Sequence, residues 1–215
     1  MINVACLTFN PFSENTYILW DETQECIIID PGCYDADEET ELAEFISNNN
    51  LKPIKVVLTH AHIDHVLGNK FVMEKYDIPL HLHKKEQDGL KQAPIYGTMW
   101  GINMVPSPEP STFLDENDKI TFGKSKLDIF FTPGHSAGSI SLYSNEDNFV
   151  ISGDVLFRLS IGRTDLPGGD FDTLITSIKT KLFTLPDGVK VYSGHGEPTT
   201  IGSEKQHNPF LDIRI

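Results

Sequence analysis

A mixed α/β fold, with two β-sheets flanked by helices, is predicted by three features of this 215-residue sequence. Short β-rich runs bounded by turn residues recur in both halves, helical spacing is interspersed between them, and no low-complexity linker separates the halves. In the first half, residues 16–20, 26–30 and 54–59 read as strands. Between the last two, residues 37–49 place Leu42, Phe45 and Ile46 at helical spacing, with acids in the first turn and an Asn run at the end, which predicts a helix. Residues 66–76 predict a second helix. Residues 89–112 are rich in Gly and Pro and too long for a plain connector, so they read as a functional loop over a site. In the second half, residues 126–132, 139–143 and 148–152 read as strands, 173–183 as a helix and 189–192 as a further strand. The halves share an order of elements but no sequence repeat. A single domain over residues 1–215 is expected, long enough to bury a substantial core.

Composition narrows the function classes. Hydrophobic residues make up 39% and charged residues 22%, as in ordinary globular proteins. No apolar run approaches the roughly 18 residues of a membrane span, and residues 1–10 lack the pattern of a secretory signal, so a cytoplasmic protein with no membrane partner is expected. The formal net charge is -14 and no basic stripe is visible, which argues against nucleic acid as a partner. An anionic substrate would meet a repulsive far field. Cys6, Cys26 and Cys33 are too few for a disulfide framework and lack paired ligand spacing, so packing is the reading for all three.

The chemistry concentrates in Thr59-His60-Ala61-His62-Ile63-Asp64-His65, between an apolar strand and a helix. Buried imidazoles must be satisfied, and three of them with an aspartate in six positions rarely satisfy one another without a metal. In extended chain His60 and His62 project to the same side and can share one ion, whereas Asp64 and His65 lie in the turn and point towards a second. Imidazole and carboxylate suit zinc, iron and manganese alike. The alternating pair His81 and His83 has no downstream carboxylate and reads as exposed strand histidines; His207, beside Asn208 and Pro209, is likewise left outside the site.

This signature resembles that of the metallo-β-lactamase superfamily, whose members add a histidine, an aspartate and a last histidine at later strand ends. His135 in Thr132-Pro133-Gly134-His135, Asp154 in Ser152-Gly153-Asp154 and His195 in Ser193-Gly194-His195 stand in that order. The resemblance implies an αββα sandwich with the metal site at one edge of the sheets. It implies two divalent metal ions, with zinc first and iron or manganese also suited. One ion would sit on His60, His62 and His135, the other on Asp64, His65 and His195, with Asp154 bridging. Two such ions can hold a water between them and lower its pKa towards neutrality, which makes hydrolysis the expected reaction, with Asp64 and Asp154 as the candidate catalytic carboxylates. No nucleophile-elbow serine motif offers a different route.

Within the superfamily, residues 156–170 and the ending around Gly194-His195-Gly196-Glu197, with His207-Asn208-Pro209-Phe210, resemble a short bacterial branch of the hydroxyacylglutathione hydrolases (glyoxalase II). The implied substrate is a small-molecule thioester such as S-lactoylglutathione, cleaved to a 2-hydroxy acid and a thiol. Longer members carry a C-terminal helical domain whose basic residues hold glutathione; here only Lys205 and Arg214 are basic beyond His195, so that recognition site does not transfer. Arg163 and Asp165 read as an ion pair, buried or placed just behind the ligands, that holds a ligand loop, rather than as a substrate contact. Phe12, Asn15 and Tyr17 are assigned to packing. The same signature also resembles the persulfide dioxygenases, which use a single iron on two histidines and the aspartate. A non-catalytic binding module is the remaining alternative, and would be expected to have lost ligands. The RNA-processing relatives are larger and carry nucleic-acid-binding additions that this sequence lacks.

Overall fold

The computed structural model describes residues 1–211; Arg214 therefore lies outside the described residues. The chain forms two compact units, residues 1–114 with 121–126, and residues 115–120 with those from 127 on. The strands form two six-stranded mixed sheets flanked by helices, as the alternation of β-rich and helical runs predicts.

In the first unit the strands β1 (Asn3–Phe9), β2 (Glu14–Trp20) and β3 (Glu25–Ile29) form an antiparallel meander. Strands β4 (Lys52–Val57), β5 (Leu80–His83) and β6 (Thr112–Leu114) continue the sheet in parallel, in the order β1-β2-β3-β4-β5-β6. The parallel steps need crossovers, and three helices supply them. They are α1 (Ala36–Asn48), α2 (Asn69–Tyr76) and α3 (Gln87–Met99). Asp35 caps α1 by accepting from the amides of Asp37 and Glu38, and Asp37, Glu38 and Glu39 sit where the helix dipole favours acids. Leu42 and Ile46 of α1 join Ile18, Cys26, Ile28, Val56, Leu80 and Leu82 in one apolar core.

The second sheet has the order β14-β13-β10-β9-β8-β7, built from β7 (Lys119–Phe122), β8 (Ser125–Phe131), β9 (Ile140–Ser144), β10 (Phe149–Gly153), β13 (Lys190–Ser193) and β14 (Thr199–Thr200); its residues within 121–126 belong to the first unit and the rest to the second. A separate hairpin, β11 (Leu156–Phe157) and β12 (Ser160–Ile161), follows β10. Strand β10 pairs with β13 in parallel, and their crossover contains α4 (Phe171–Thr180); α5 (Ile201–His207) follows β14. Leu174 and Ile178 of α4 pack with Val150, Val191 and Ile201.

Three expectations change. Residues 89–112 are not a loop: most of the first part is α3, which accommodates Pro94 inside it, and only residues 100–111 are irregular. His81 and His83 lie on β5 but are half-buried rather than exposed. Cys26 and Cys33 are core residues, with burial pushing the Cys26 thiol up to about 12, whereas Cys6 is exposed.

Within the first unit, a buried carboxylate ties residues 124 and 125 to the β2–β3 turn. Asp21 is 0% exposed and accepts from the Thr23 amide at 2.9 Å, the Thr23 hydroxyl at 2.6 Å, the Lys124 amide at 2.6 Å and the Ser125 hydroxyl at 2.9 Å. Desolvation works to raise its pKa, but these four donors outweigh it and hold the carboxyl far below the usual range. A depressed folded-state pKa contributes stability above the unfolded value near 4, and that contribution is lost as pH falls through and below it. Asp21→Ala is expected to cost about 1.5–3 kcal/mol at pH 7, with the gap to the native protein closing towards pH 2; urea unfolding at both pH values measures it.

Candidate metal centre

Strand β4 delivers the first donor set. Its parallel neighbour β3 ends at Ile29, and the next residue, Asp30, adopts the left-handed conformation (φ 50°), donating its amide to Val57 O while its side chain turns beneath the end of β4. Both Asp30 oxygens are used: Oδ1 accepts from the Thr59 amide at 2.7 Å, and Oδ2 accepts from the Thr59 hydroxyl at 2.5 Å. That hydroxyl has one proton and gives it to Asp30, so at 3.0 Å it accepts from His60 Nδ1–H. Asp30 Oδ2 also stands 3.1 Å from His65 Nδ1. Both imidazoles therefore keep their proton on Nδ1 and present a lone pair on Nε2, the tautomer a metal ligand needs.

The remaining members gather around these two. His62 lies edge-to-face with His60, ring centroids 4.7 Å apart, and the His65 ring is 4.2 Å from that of His60. Asp64 and His65 sit on a short 3-10 turn, Ile63–His65, with Asp64 Oδ2 at 3.5 Å from His65 Nε2. Asp30, His60 and His65 also fall within ligand range of one another, but Asp30 acts as a support because both its oxygens already hold Thr59. Glu14, 0% exposed, lies 3.7 Å from His65 Nδ1, and burial pushes its carboxyl well above the usual range. Asn10 donates from Nδ2 to the carbonyls of Gly32 and Asp64, and Glu86 accepts from the Ala61 amide at 2.8 Å, so the main chain of the motif is held from both sides.

The second unit holds the other three predicted ligands. Asp154 follows β10 and His195 follows β13, so both leave the same end of adjacent parallel strands, where Gly194 N donates to Gly153 O at 2.9 Å. His135 follows β8 through Gly134, whose φ of 128° excludes most side chains and where a Cβ would strike the Leu174 backbone of α4 at 2.2 Å. Asp154 Oδ2 stands 3.5 Å from the Nε2 atoms of both His135 and His195. His135 Nδ1 is 2.8 Å from the Arg163 carbonyl, a pure acceptor, so its proton is on Nδ1 and a lone pair faces the carboxylate. A lone pair against a carboxylate oxygen calls for positive charge between them. Divalent cations supply it at neutral pH, so the donors present fit metal.

Sequence reasoning singled out Arg163 for its side chain, and the structure corrects this. Its guanidinium makes a bidentate pair with Asp165 at 2.7 Å for both bonds, but the pair is exposed, not buried. The Arg163 hydrogen bonds, chiefly, hold the Asp165 carboxyl down to about 2. It is the Arg163 carbonyl that orients a predicted ligand. Gly162 permits this approach, since a Cβ there would lie 1.9 Å from Asp154 O and 3.0 Å from His135 Nδ1.

The β11–β12 hairpin is the frame of this half. Leu156 O accepts from the hydroxyls of Ser152 and Ser193, each two residues before a predicted ligand, and the Phe157 ring lies edge-on to His195 at 6.2 Å. From behind, buried Glu204 of α5 accepts from the Leu159 amide at 2.9 Å and from the Thr199 hydroxyl at 2.5 Å. Asn208 donates to Glu204 at 2.8 Å and to Ser160 O at 2.9 Å. The supporting roles of Asp30, Thr59, Glu204 and the two serines were not assigned from the sequence. Asp30 had a signal, an acid ending an Ile-Ile-Ile strand immediately before Pro31-Gly32.

Comparison with known proteins agrees with this construction. The model of the metallo-β-lactamase superfamily matches residues 9–195. The chain belongs to the metallo-β-lactamase superfamily. Among its relatives, a probable metallo-hydrolase (YqgX) of Bacillus subtilis is 42% identical over 203 residues, 94% of each chain. Hydroxyacylglutathione hydrolase GloC of Haemophilus influenzae is 33% identical, over 99% of this chain and 100% of that one. Of solved structures, the B3 metallo-β-lactamase BLEG-1 superimposes with a TM-score of 0.89 at 37% identity, covering 98% and 99% of the two chains. TTHA1623, crystallised in a di-iron-bound form, gives 0.87 at 37% identity over 97% and 100%. The superfamily and its metallo-hydrolases, with the donor clusters, support divalent-metal binding and hydrolase activity for this chain.

Two measurements probe the supports. Asp30→Ala is expected to weaken metal binding about 10- to 100-fold in chelator competition with far-UV circular dichroism unchanged; unaltered affinity would remove Asp30 from the site. Glu204→Ala leaves buried donors unmatched and is expected to lower stability by about 1–3 kcal/mol in thermal unfolding.

Proposed function

We propose that residues 1–215 act as one catalytic domain, a metal-dependent hydrolase of small-molecule thioesters, S-lactoylglutathione among them, that releases a 2-hydroxy acid and a thiol. The observation that carries this reading is the set of acceptors 2.8–3.1 Å from the Nδ1 atoms of His60, His65 and His135, which leaves each Nε2 lone pair available to a cation. Likeness over the full length to GloC, itself a hydroxyacylglutathione hydrolase, supports the thioester. His60, His62 and His135 would hold one divalent ion, Asp64, His65 and His195 the other, and Asp154 both. Zinc is the first expectation, and the di-iron form of TTHA1623 favours testing iron beside it.

Bound there, the ions supply a nucleophile from water near neutral pH and positive charge for the developing oxyanion. The protein's own part is to hold its donors still. Asp30 and the Arg163 carbonyl keep the imidazole protons on Nδ1, away from the reacting side. Asp154 and Asp64 offset the cationic charge, and Asp64 is the candidate to accept the proton released by the attacking water. The side chains that position these groups are buried, so little reorganisation accompanies the reaction. Reduced thiols at Cys6, Cys26 and Cys33 suit a cytoplasmic setting, and the partner is a small molecule rather than nucleic acid or membrane.

The test is anaerobic loss of the thioester absorbance of S-lactoylglutathione by metal-assayed protein. Two metals per chain and rapid turnover are expected, with Asp154→Ala lowering turnover at least about 100-fold. A single bound iron with oxygen uptake on a persulfide would replace the hydrolase with a dioxygenase, and two metals without turnover would discard this substrate.

A further inference from the structure

We infer that the C-terminal half of α3 and the segment after it form an apolar recognition surface for the acyl chain of the substrate, so that the preferred thioesters are those of medium-length, uncharged acyl groups. The inference takes its thioester from the hydrolase reading above; the binding surface itself stands on separate observations.

The first is charge. Residues 92–108 contain no charged side chain in a protein of net charge -14, and the flanking Lys91 and Glu109 face each other at 3.7 Å. The second is exposure. Ile95, Met99, Trp100 and Val105 are between 56% and 77% exposed, a concentration of large apolar side chains that soluble surfaces ordinarily avoid outside binding sites. The inner face of the same helix is satisfied: Leu90, Ala93 and Gly97 are buried, and Gly97 lies against Met104 and Ile102 O. The outward residues therefore lie off the buried face of the helix.

The third is position. Just before α3, Glu86 accepts from Ala61, between His60 and His62, and α3 packs on the 3-10 turn bearing Asp64 and His65. At its other end Trp100 meets Phe12 edge-to-face at 6.3 Å. Phe12 belongs to the turn whose Asn10 donates to Asp64 O at 3.0 Å, so the apolar surface is continuous with the predicted ligand turn. An apolar chain rather than an anion suits it, because no cation is offered and the net charge repels anions. Biological acyl-carrying thiols are polar, which leaves the acyl group as the apolar end of a thioester.

The experiment has two arms. In the first, metal-loaded protein is given N-acetylcysteamine thioesters of acetyl, butanoyl, hexanoyl and octanoyl groups and free thiol is followed. kcat/KM is expected to rise about two- to threefold per methylene, mainly through KM, and Trp100→Ser should flatten the series. Hydrolysis with no chain-length dependence, or an unchanged slope in Trp100→Ser, overturns the inference and leaves the hydrolase standing. In the second arm, the non-hydrolysable S-octyl thioether of N-acetylcysteamine is titrated against tryptophan fluorescence, with Trp100→Phe as control. A saturable response lost in the control supports the surface even if every thioester is inert, which would sink the hydrolase reading alone. No response overturns it. A dimer in sedimentation equilibrium that dissociates in Trp100→Ser also overturns it, by assigning the patch to a second copy of the chain.

Discussion

A neutral imidazole offers a single lone pair, so whether a histidine can bind metal is decided by what its other nitrogen touches. In this protein the other nitrogens of His60, His65 and His135 touch groups with no freedom to rearrange. One is a carboxylate, Asp30, that is 2% exposed and clamped through both oxygens by Thr59. Another is a main-chain carbonyl, that of Arg163, which Gly162 lets approach. Strand ends, glycine turns and buried acids in both units serve these contacts.

The arrangement is costly on its own terms. Carboxylates and imidazoles placed among Ile, Val and Leu side chains lose their hydration, and the Glu14 carboxyl is pushed upward by that burial. The fold offsets the cost with hydrogen bonds rather than with ion pairs: hydroxyls of Thr16, Thr59, Ser152 and Ser193 and the amide of Asn208 fill the acceptors around the donor sets. Neutral donors of this kind hold geometry without adding net charge where the metal's own charge must act.

Much of this was readable in the sequence. The strands over residues 16–20, 26–30, 54–59, 126–132, 139–143, 148–152 and 189–192 appear within a few residues of their predicted bounds, because alternation and apolar runs report burial directly. Strand β1 was missed: it is an edge strand with three of its seven residues only half-buried and three exposed, so its pattern is weak. The helix α3 was read as a loop because Gly89, Pro94 and Gly97 mask its spacing, and helix formation there is driven by tertiary packing of Leu90 and Ala93. The seven predicted ligands were legible as residue types at strand ends. Their supports were not, since Asp30 and Glu204 reach their partners across 29 and 45 residues of sequence and no local spacing records that.

The uncharged stretch beside a strongly acidic whole has a consequence for selectivity. Anionic molecules approach such a surface against a potential that ions in solution damp over about 8–10 Å, whereas neutral molecules approach without regard to it. The composition of the surrounding medium therefore enters the choice among ligands: a more saline one lets anionic molecules approach this surface, and a dilute one favours neutral molecules.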